Sequence, residues 1–355
     1  MSTPSSRYRA TMYPRGHPTL RDVANEAGVS PAIASRVLNE DPKVRVRDDT
    51  RERIRSVATA LGYVPHSVAR SLRGARSGAI GLVMHGLDSP INVDVLAGAQ
   101  SRCTRAGYVT LLAEAEELAE NDSQLRAFVA RGRLDGVILH SGYGQEDRLV
   151  EAISASVPAV LVNADDDRQI PTVRIDDAAA GTVATEHLLG LGHDAITFVA
   201  GPERSQTSDR RQSGYQEALK GAGLAHHVDV VHGGWWPEDG AAATRKILQR
   251  ERRPTALVVV NAVTASGVLS TLRDSSVRVP EEISVVTIHD SWFVEHLAVA
   301  LTAVRLPLHQ LGSAAAELLI EAIDGRPSKN DVFITEPAPE LVLRRSTGPP
   351  PSRLG

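Results

Sequence analysis

From Thr19 to Leu61 the apolar positions recur with a helical period, in three short runs divided by polar turns. Leu20, Val23, Ala24 and Ala27 share one face of the first run, and Ile33, Ala34, Val37 and Leu38 share one face of the second. Ile54, Val57, Ala58 and Leu61 do the same in a third run from about Asp49. Thr19 and Asp22 have capping-box spacing for the first helix, and Gly28 ends it. Ser30 caps the second, with Pro31 in its first turn, where a missing N–H costs nothing. From Ala79 the pattern changes to short aliphatic runs alternating with helical stretches. The runs AIGLVM, VTLLAEA, DGVILH, PAVLVN and TVRI predict one set of strands, and AITFVAG, VDVVHG, ALVVVN and ISVVTI a second. Helices are predicted near 93–106, 118–131, 178–191, 213–223, 240–251 and 265–274. Aliphatic strands each followed by a helix make parallel sheets covered on both faces, here two lobes with a cleft between them.

Composition adds limits. The 355 residues are 42% apolar but only 4% aromatic, so the core is expected to be aliphatic. A single cysteine, Cys103, excludes an internal disulfide framework and a cysteine-rich zinc site, and suits a reducing compartment. Neither a long apolar run nor a signal-peptide pattern occurs, so a soluble, cytoplasmic protein with no membrane partner is expected. The net charge of −4 argues against nucleic acid until its distribution is considered. Residues 1–77 carry 14 Lys+Arg against 7 Asp+Glu, whereas the remainder carries 25 against 36. A basic front on an acidic body suits a chain that binds phosphate at one end.

Helix, glycine turn, helix is the helix-turn-helix layout, whose second helix enters the DNA major groove. The inward face of that helix leaves Ala32, Ser35, Arg36 and Asn39 open to a ligand. With Thr19, Ser30 and Pro31 at the helix starts, these form the candidate DNA-contacting set. Arg36 is the candidate for a two-pronged guanine contact, while Pro31 and Ala32 offer only apolar contact to bases. The blocks DVANEAGVS, ASRVLN, TRERIRSVATALGYVP and VARSLR, in this order, resemble the DNA-binding headpiece of the lactose-repressor (LacI/GalR) family of bacterial transcription regulators. The resemblance continues to about Arg344, through EHLLGLGHDAITFVAGP, RPTALVVVN and VPEEISVV. It implies an all-α helix-turn-helix headpiece at 18–65, a hinge helix and linker at 66–78, and a two-lobed periplasmic-binding-protein-like body at 79–344. It also implies lobe crossovers near 175, 303 and 333. Val68, Leu72 and Arg73 match minor-groove positions of the hinge, with Leu72 as the wedge between base pairs. Residues 1–17 read as a disordered leader and 345–355 as a disordered tail, without the apolar heptads of a coiled coil.

Open α/β sheets bind ligands beyond the carboxyl ends of their strands. Asn163, Asn261, His289 and Asp290 follow predicted strands there. The resemblance adds Arg211 and Trp235 as effector contacts, and Pro90 at the start of the first lobe's binding loop. Such a set of forked donors, amides and an indole face suits a sugar or related metabolite. Family members commonly carry Asp at the places of Asn163 and His289, and two aromatics where this chain has Ile91 and Asn92. These departures weaken the plain-sugar case and favour an anionic or phosphorylated effector, or an unusual one. The loops HDSWFVEH and NADDDR lack metal-helix spacing, no nucleophile-elbow or phosphate-loop motif occurs, and neither a cofactor nor catalysis is expected. The chain therefore reads as a homodimeric, ligand-responsive repressor of a near-palindromic operator in duplex DNA. The alternative is a solute-binding sensor of the same two-lobed fold that acts without DNA.

Overall fold

A computed structural model of the chain describes residues 18–38, 41, 44–63, 76–87, 89–90, 92–141, 147–165, 169–326 and 331–352. The predicted leader and the hinge segment 66–73 lie outside these residues, and so do Asn39, Val68, Leu72 and Arg73. The chain divides into two compact units, Met1–Ser77 and Gly78–Gly355.

In the first unit, helices α1 (Leu20–Glu26), α2 (Pro31–Leu38) and α3 (Asp48–Leu61) pack around Val23, Ala24, Ala34, Val37 and Ile54, all without exposed surface. The capping box forms: the Asp22 N–H donates to Thr19 Oγ1, and the Thr19 N–H donates to Asp22 Oδ2 at 2.7 Å. Gly28 takes φ +64° in the turn, a backbone state that glycine enters without a Cβ penalty. Arg53 Nε donates to the Ala27 carbonyl at 3.1 Å, so α3 covers an orphan carbonyl at the end of α1.

The second unit holds two six-stranded sheets. The first contains β1 (Ala79–Met84), β2 (Val109–Glu114), β3 (Gly136–His140), β4 (Ala159–Val162), β5 (Thr172–Ile175) and β11 (Asp331–Ile334), all parallel, in the order β11-β5-β4-β3-β1-β2. The second contains β6 (Ile196–Ala200), β7 (Val230–His232), β8 (Ala256–Val259), β9 (Ser284–Ile288), β10 (Thr302–Arg305) and β12 (Glu340–Val342). Its order is β12-β10-β9-β8-β6-β7, and β12 alone runs antiparallel. Central strands are buried along their whole length, which is why they read as unbroken aliphatic runs.

The first sheet is flanked by α4 (Asn92–Arg105), α5 (Ala115–Glu120), α6 (Asp122–Phe128), α7 (Asp147–Ser154) and α12 (Leu308–Ile323). The second is flanked by α8 (Asp177–Gly190), α9 (Gln206–Gly221), α10 (Pro237–Leu248) and α11 (Ala262–Asp274). The helix predicted near 118–131 is two helices. Asn121 caps the second by accepting from the Ser123 and Gln124 N–H groups, at 3.1 and 3.2 Å. The chain passes between lobes after β5, after β10 and after β11.

The predicted disordered tail is corrected over residues 345–352. Ser346 is fully buried: its Oγ accepts from the Thr302 N–H at 2.8 Å and donates to the Val285 carbonyl at 2.6 Å. The Val285 N–H donates to the Ser346 carbonyl at 2.8 Å, and the Gly348 carbonyl accepts from His193 Nε2 at 2.8 Å. These partners lie far away in sequence, so the local Pro, Gly and Arg content conceals them. Replacing Ser346 with Ala leaves the Thr302 N–H buried without an acceptor, which costs about 1–3 kcal/mol. Thermal melting of Ser346→Ala should fall by several degrees, and an unchanged melting temperature would show that the tail does not hold this lobe.

Candidate functional site

The headpiece presents a polar face built on a buried one. Thr19, Ser30, Pro31, Ala32 and Arg36 are exposed, and Ser35 is half-buried, while Ala34 and Val37 on the same helix are fully buried. Ser30 Oγ accepts from the Ile33 N–H at 3.3 Å, which fixes the start of α2. The Arg36 side chain is 56% exposed, and among the described residues its only ion pair is a loose one, Nε lying 3.9 Å from Asp41 Oδ2.

In the body, a cleft with about 720 Å³ of space, part of it open to solvent, lies between the carboxyl edges of the two sheets. Arg211, Trp235 and Asn261 line it from the second lobe and Asn163 from the first. Asn163 follows β4 with φ +61°, a left-handed state that asparagine tolerates better than most residues, and among the described residues its buried Oδ1 has no hydrogen-bond partner. Asn261 caps α11: its Oδ1 accepts from the Thr264 N–H at 2.7 Å, so only part of its amide faces the cleft.

Arg211 is held by a close helix crossing. A Cβ on Gly214 of α9 would lie 1.9 Å from the Ala178 carbonyl, and one on Gly181 of α8 would lie 2.0 Å from the Arg211 carbonyl. Two glycines therefore let these helices touch backbone to backbone. That contact brings Asp177, fully buried at the start of α8, against α9. Arg211 Nε donates to Asp177 Oδ1 at 2.9 Å and Nη1 donates to the Val260 carbonyl at 2.8 Å. Among the described residues its Nη2 takes no protein partner.

The same aspartate anchors a lobe-to-lobe clasp. Arg210 Nη2 donates to Asp177 Oδ2 at 3.1 Å and to the Asn163 carbonyl at 3.0 Å, while Nη1 donates to Asp165 Oδ2 at 2.7 Å. Arg174 also pairs with Asp165. Gln206 closes the clasp, accepting from the Asp165 N–H at 2.8 Å and donating to its carbonyl at 3.1 Å. Asp165, in the acidic loop that lacks metal-helix spacing, is thus engaged by the opposite lobe.

Three predicted effector contacts fall outside the lining. His289 is only 2% exposed, with φ +81° and, among the described residues, no partner for either ring nitrogen. Burial and the neighbouring Arg211 push its pKa down to about 3, so it is neutral. Asp290 is drawn away by Arg305 and Arg344, at 2.8 and 2.7 Å. Pro90 is absent from the lining although its neighbours Ser89 and Asn92 belong to it. Asn92 folds back to donate to the carbonyls of His85 and Gly86, at 2.7 and 2.9 Å.

Sequence reasoning missed His85, Glu116, His140 and Trp236, which also line the cleft. His85 and His140 obey the strand-end rule, standing just after β1 and at the end of β3. His85 Nδ1 and Glu116 Oε1 are 2.7 Å apart. Burial of Glu116 opposes ionisation, but the hydrogen bond from His85 leaves its carboxyl below the usual range.

Residues 19–66 match the family described as bacterial regulatory proteins, lacI family, and residues 185–347 match a periplasmic binding protein-like domain. The chain is 30% identical over 335 residues to the HTH-type transcriptional repressor PurR of Haemophilus influenzae (strain PittEE), covering 92% of this chain and 98% of that one. The chain belongs to the LacI family of bacterial regulatory proteins. Among solved structures, the lac repressor dimer bound to operator and the anti-inducer ONPF is 27% identical, with a TM-score of 0.81 over 94% of this chain and all of that one. A LacI family transcriptional regulator from Mycobacterium smegmatis is 36% identical, with a TM-score of 0.70 over 76% of this chain and 99% of that one. The chain is accordingly a DNA-binding transcriptional regulator with an effector-binding body.

The helix crossing that sets Arg211 is directly testable. Gly214→Ala forces α8 and α9 apart, and overpacking of this kind costs typically about 1–3 kcal/mol. A lowered melting temperature together with loss of effector response is expected, and wild-type behaviour in both would dissociate the crossing from the site.

Proposed function

We propose that the chain represses transcription by binding a near-palindromic duplex as a homodimer, and that a small molecule in the interlobe cleft sets how well it binds. The role is regulatory, not catalytic, and is exercised on DNA in the cytoplasm. The observation that carries this reading is the exposed outer face of α2, with the Arg36 guanidinium open while the opposite face of the same helix is sealed in the headpiece core. A solute-binding sensor leaves that face, and the positive charge of residues 1–77, without a task.

Two further observations support the reading. Apolar side chains are bare on both lobes of the body: Val93 on α4 and Val109 and Leu112 on the edge strand β2, and Trp292 of the second lobe at 72% exposure. Such surface suits a second copy of the chain. The clasp between Arg210 and Asp165 is a lobe-to-lobe contact that a ligand-driven change of lobe angle makes or breaks. Val68, Leu72 and Arg73 complete the proposal as the minor-groove contacts of paired hinge helices, with Leu72 as the wedge.

Arg36→Ala should relax base preference at one position in each half-site, with a loss of about 1–3 kcal/mol of discrimination there. A selection of bound sequences from a random duplex pool reads this directly. An unchanged consensus would remove Arg36 from base recognition.

A further inference from the structure

The two walls of the cleft differ in which hydrogen-bonding groups they leave for a ligand. This inference rests on the proposed effector reading of the cleft. On the first lobe, Asn92 Nδ2 donates to the carbonyls of His85 and Gly86, at 2.7 and 2.9 Å. Both hydrogens of that amide are thus engaged, and what it still presents is its oxygen, an acceptor. Asn163 lines the same wall, 4% exposed, with an Oδ1 that has no partner among the described residues. Glu116 adds a carboxylate there, its side chain 53% exposed and its Oε1 2.7 Å from His85 Nδ1. The hydrogen bond from His85 holds that carboxyl below the usual range, so it is ionised and accepts only.

The second lobe presents the opposite set. Asn261 Oδ1 is engaged by the Thr264 N–H at 2.7 Å, which leaves the amide NH₂, and that group meets the Trp235 carbonyl only at 3.4 Å. Arg211 gives Nε to Asp177 and Nη1 to the Val260 carbonyl, and its Nη2 has no acceptor among the described residues. A guanidinium and an amide NH₂ can only donate. Acceptors therefore face donors across the cleft. A polyol, whose hydroxyls donate and accept alike, is not oriented by such walls. A molecule with an ammonium group at one end and a carboxylate at the other fits both walls, in one orientation. Turned round, it sets its carboxylate against Glu116 and its ammonium against Arg211.

We propose that the cleft binds a small dipolar molecule, with its ammonium group held by Glu116 and Asn163 of the first lobe and its carboxylate by Arg211 and Asn261 of the second. Glu116 is the residue that selects the ammonium group. It stands half exposed at the wall, so Glu116→Gln, which keeps the shape and removes the charge, should leave the fold intact.

The test is calorimetric titration of the full-length chain with four probes built on one ring: glucose, glucosamine, glucuronate and glucosaminuronate. They carry neither charge, the ammonium, the carboxylate, and both. Glucosaminuronate should bind wild type about tenfold or more tightly than either singly charged probe, the difference that one hydrogen bond to a charged group makes. In Glu116→Gln its affinity should fall to that of glucuronate, while glucuronate itself binds no worse. Equal binding of glucuronate and glucosaminuronate to wild type would overturn the dipolar class and leave the effector reading of the cleft intact. Equal loss of every probe in Glu116→Gln would overturn its role as the ammonium partner. Binding of no probe would also overturn the ligand class, and whether the effector reading falls with it is read separately, from duplex affinity measured with and without a metabolite extract of cells.

Discussion

Asp177 is the constraint on which the body of this protein depends. It is fully buried, and its two oxygens are shared by neighbouring arginines of α9, one serving the cleft and the other reaching the opposite lobe. A buried carboxylate persists only when paired and hydrogen-bonded, and removing one partner of such a pair typically costs about 3–5 kcal/mol. The arrangement therefore requires α8 and α9 to lie in backbone contact, which Gly181 and Gly214 permit. The cleft-lining Arg211 and the lobe clasp thus hang from a single residue. A ligand that pulls on Arg211 acts on the counter-ion that also holds Arg210. This is a physical route from cleft occupancy to lobe angle that needs no long chain of intermediaries.

The headpiece works by a different economy. It is a small helical unit whose core is largely alanine, valine and one isoleucine, and local caps contribute much of its definition. Its outward face is polar and cationic, so affinity for phosphate comes without sequence information, and the few side chains of α2 must supply the latter. In the proposed reading, Pro31 and Ala32 offer only apolar contact and Arg36 carries the polar one.

Much of the fold is legible in the sequence because its signals are local. Thr19, Asp22, Gly28 and Ser30 punctuate the headpiece helices within a few residues of their partners. Buried strands announce themselves as aliphatic runs. The parts that escape are held by distant partners. Strands β10, β11 and β12 are short pieces of the crossing segments and acquire their identity only from sheet neighbours. Ser346 becomes structural through Val285 and Thr302. The same distinction governs the cleft. The strand-end rule finds Asn163 and Asn261, and applied to β1 and β3 it also finds His85 and His140. It cannot say which way a side chain turns. His289 and Asp290 stand at the right place in the chain, yet burial takes one and Arg305 and Arg344 take the other. Asp165 looks like one more solvated acid until the opposite lobe supplies Arg210 and Gln206.

Whether the basic front end reads sequence is the claim on which the account turns. The most direct measurement is the affinity of the full-length chain for its selected duplex and for a scrambled duplex of the same composition, across a salt series. The account predicts a preference of about 10³ or more for the selected duplex, with both affinities falling as salt rises. Equal affinity for the two duplexes at every salt concentration would contradict it.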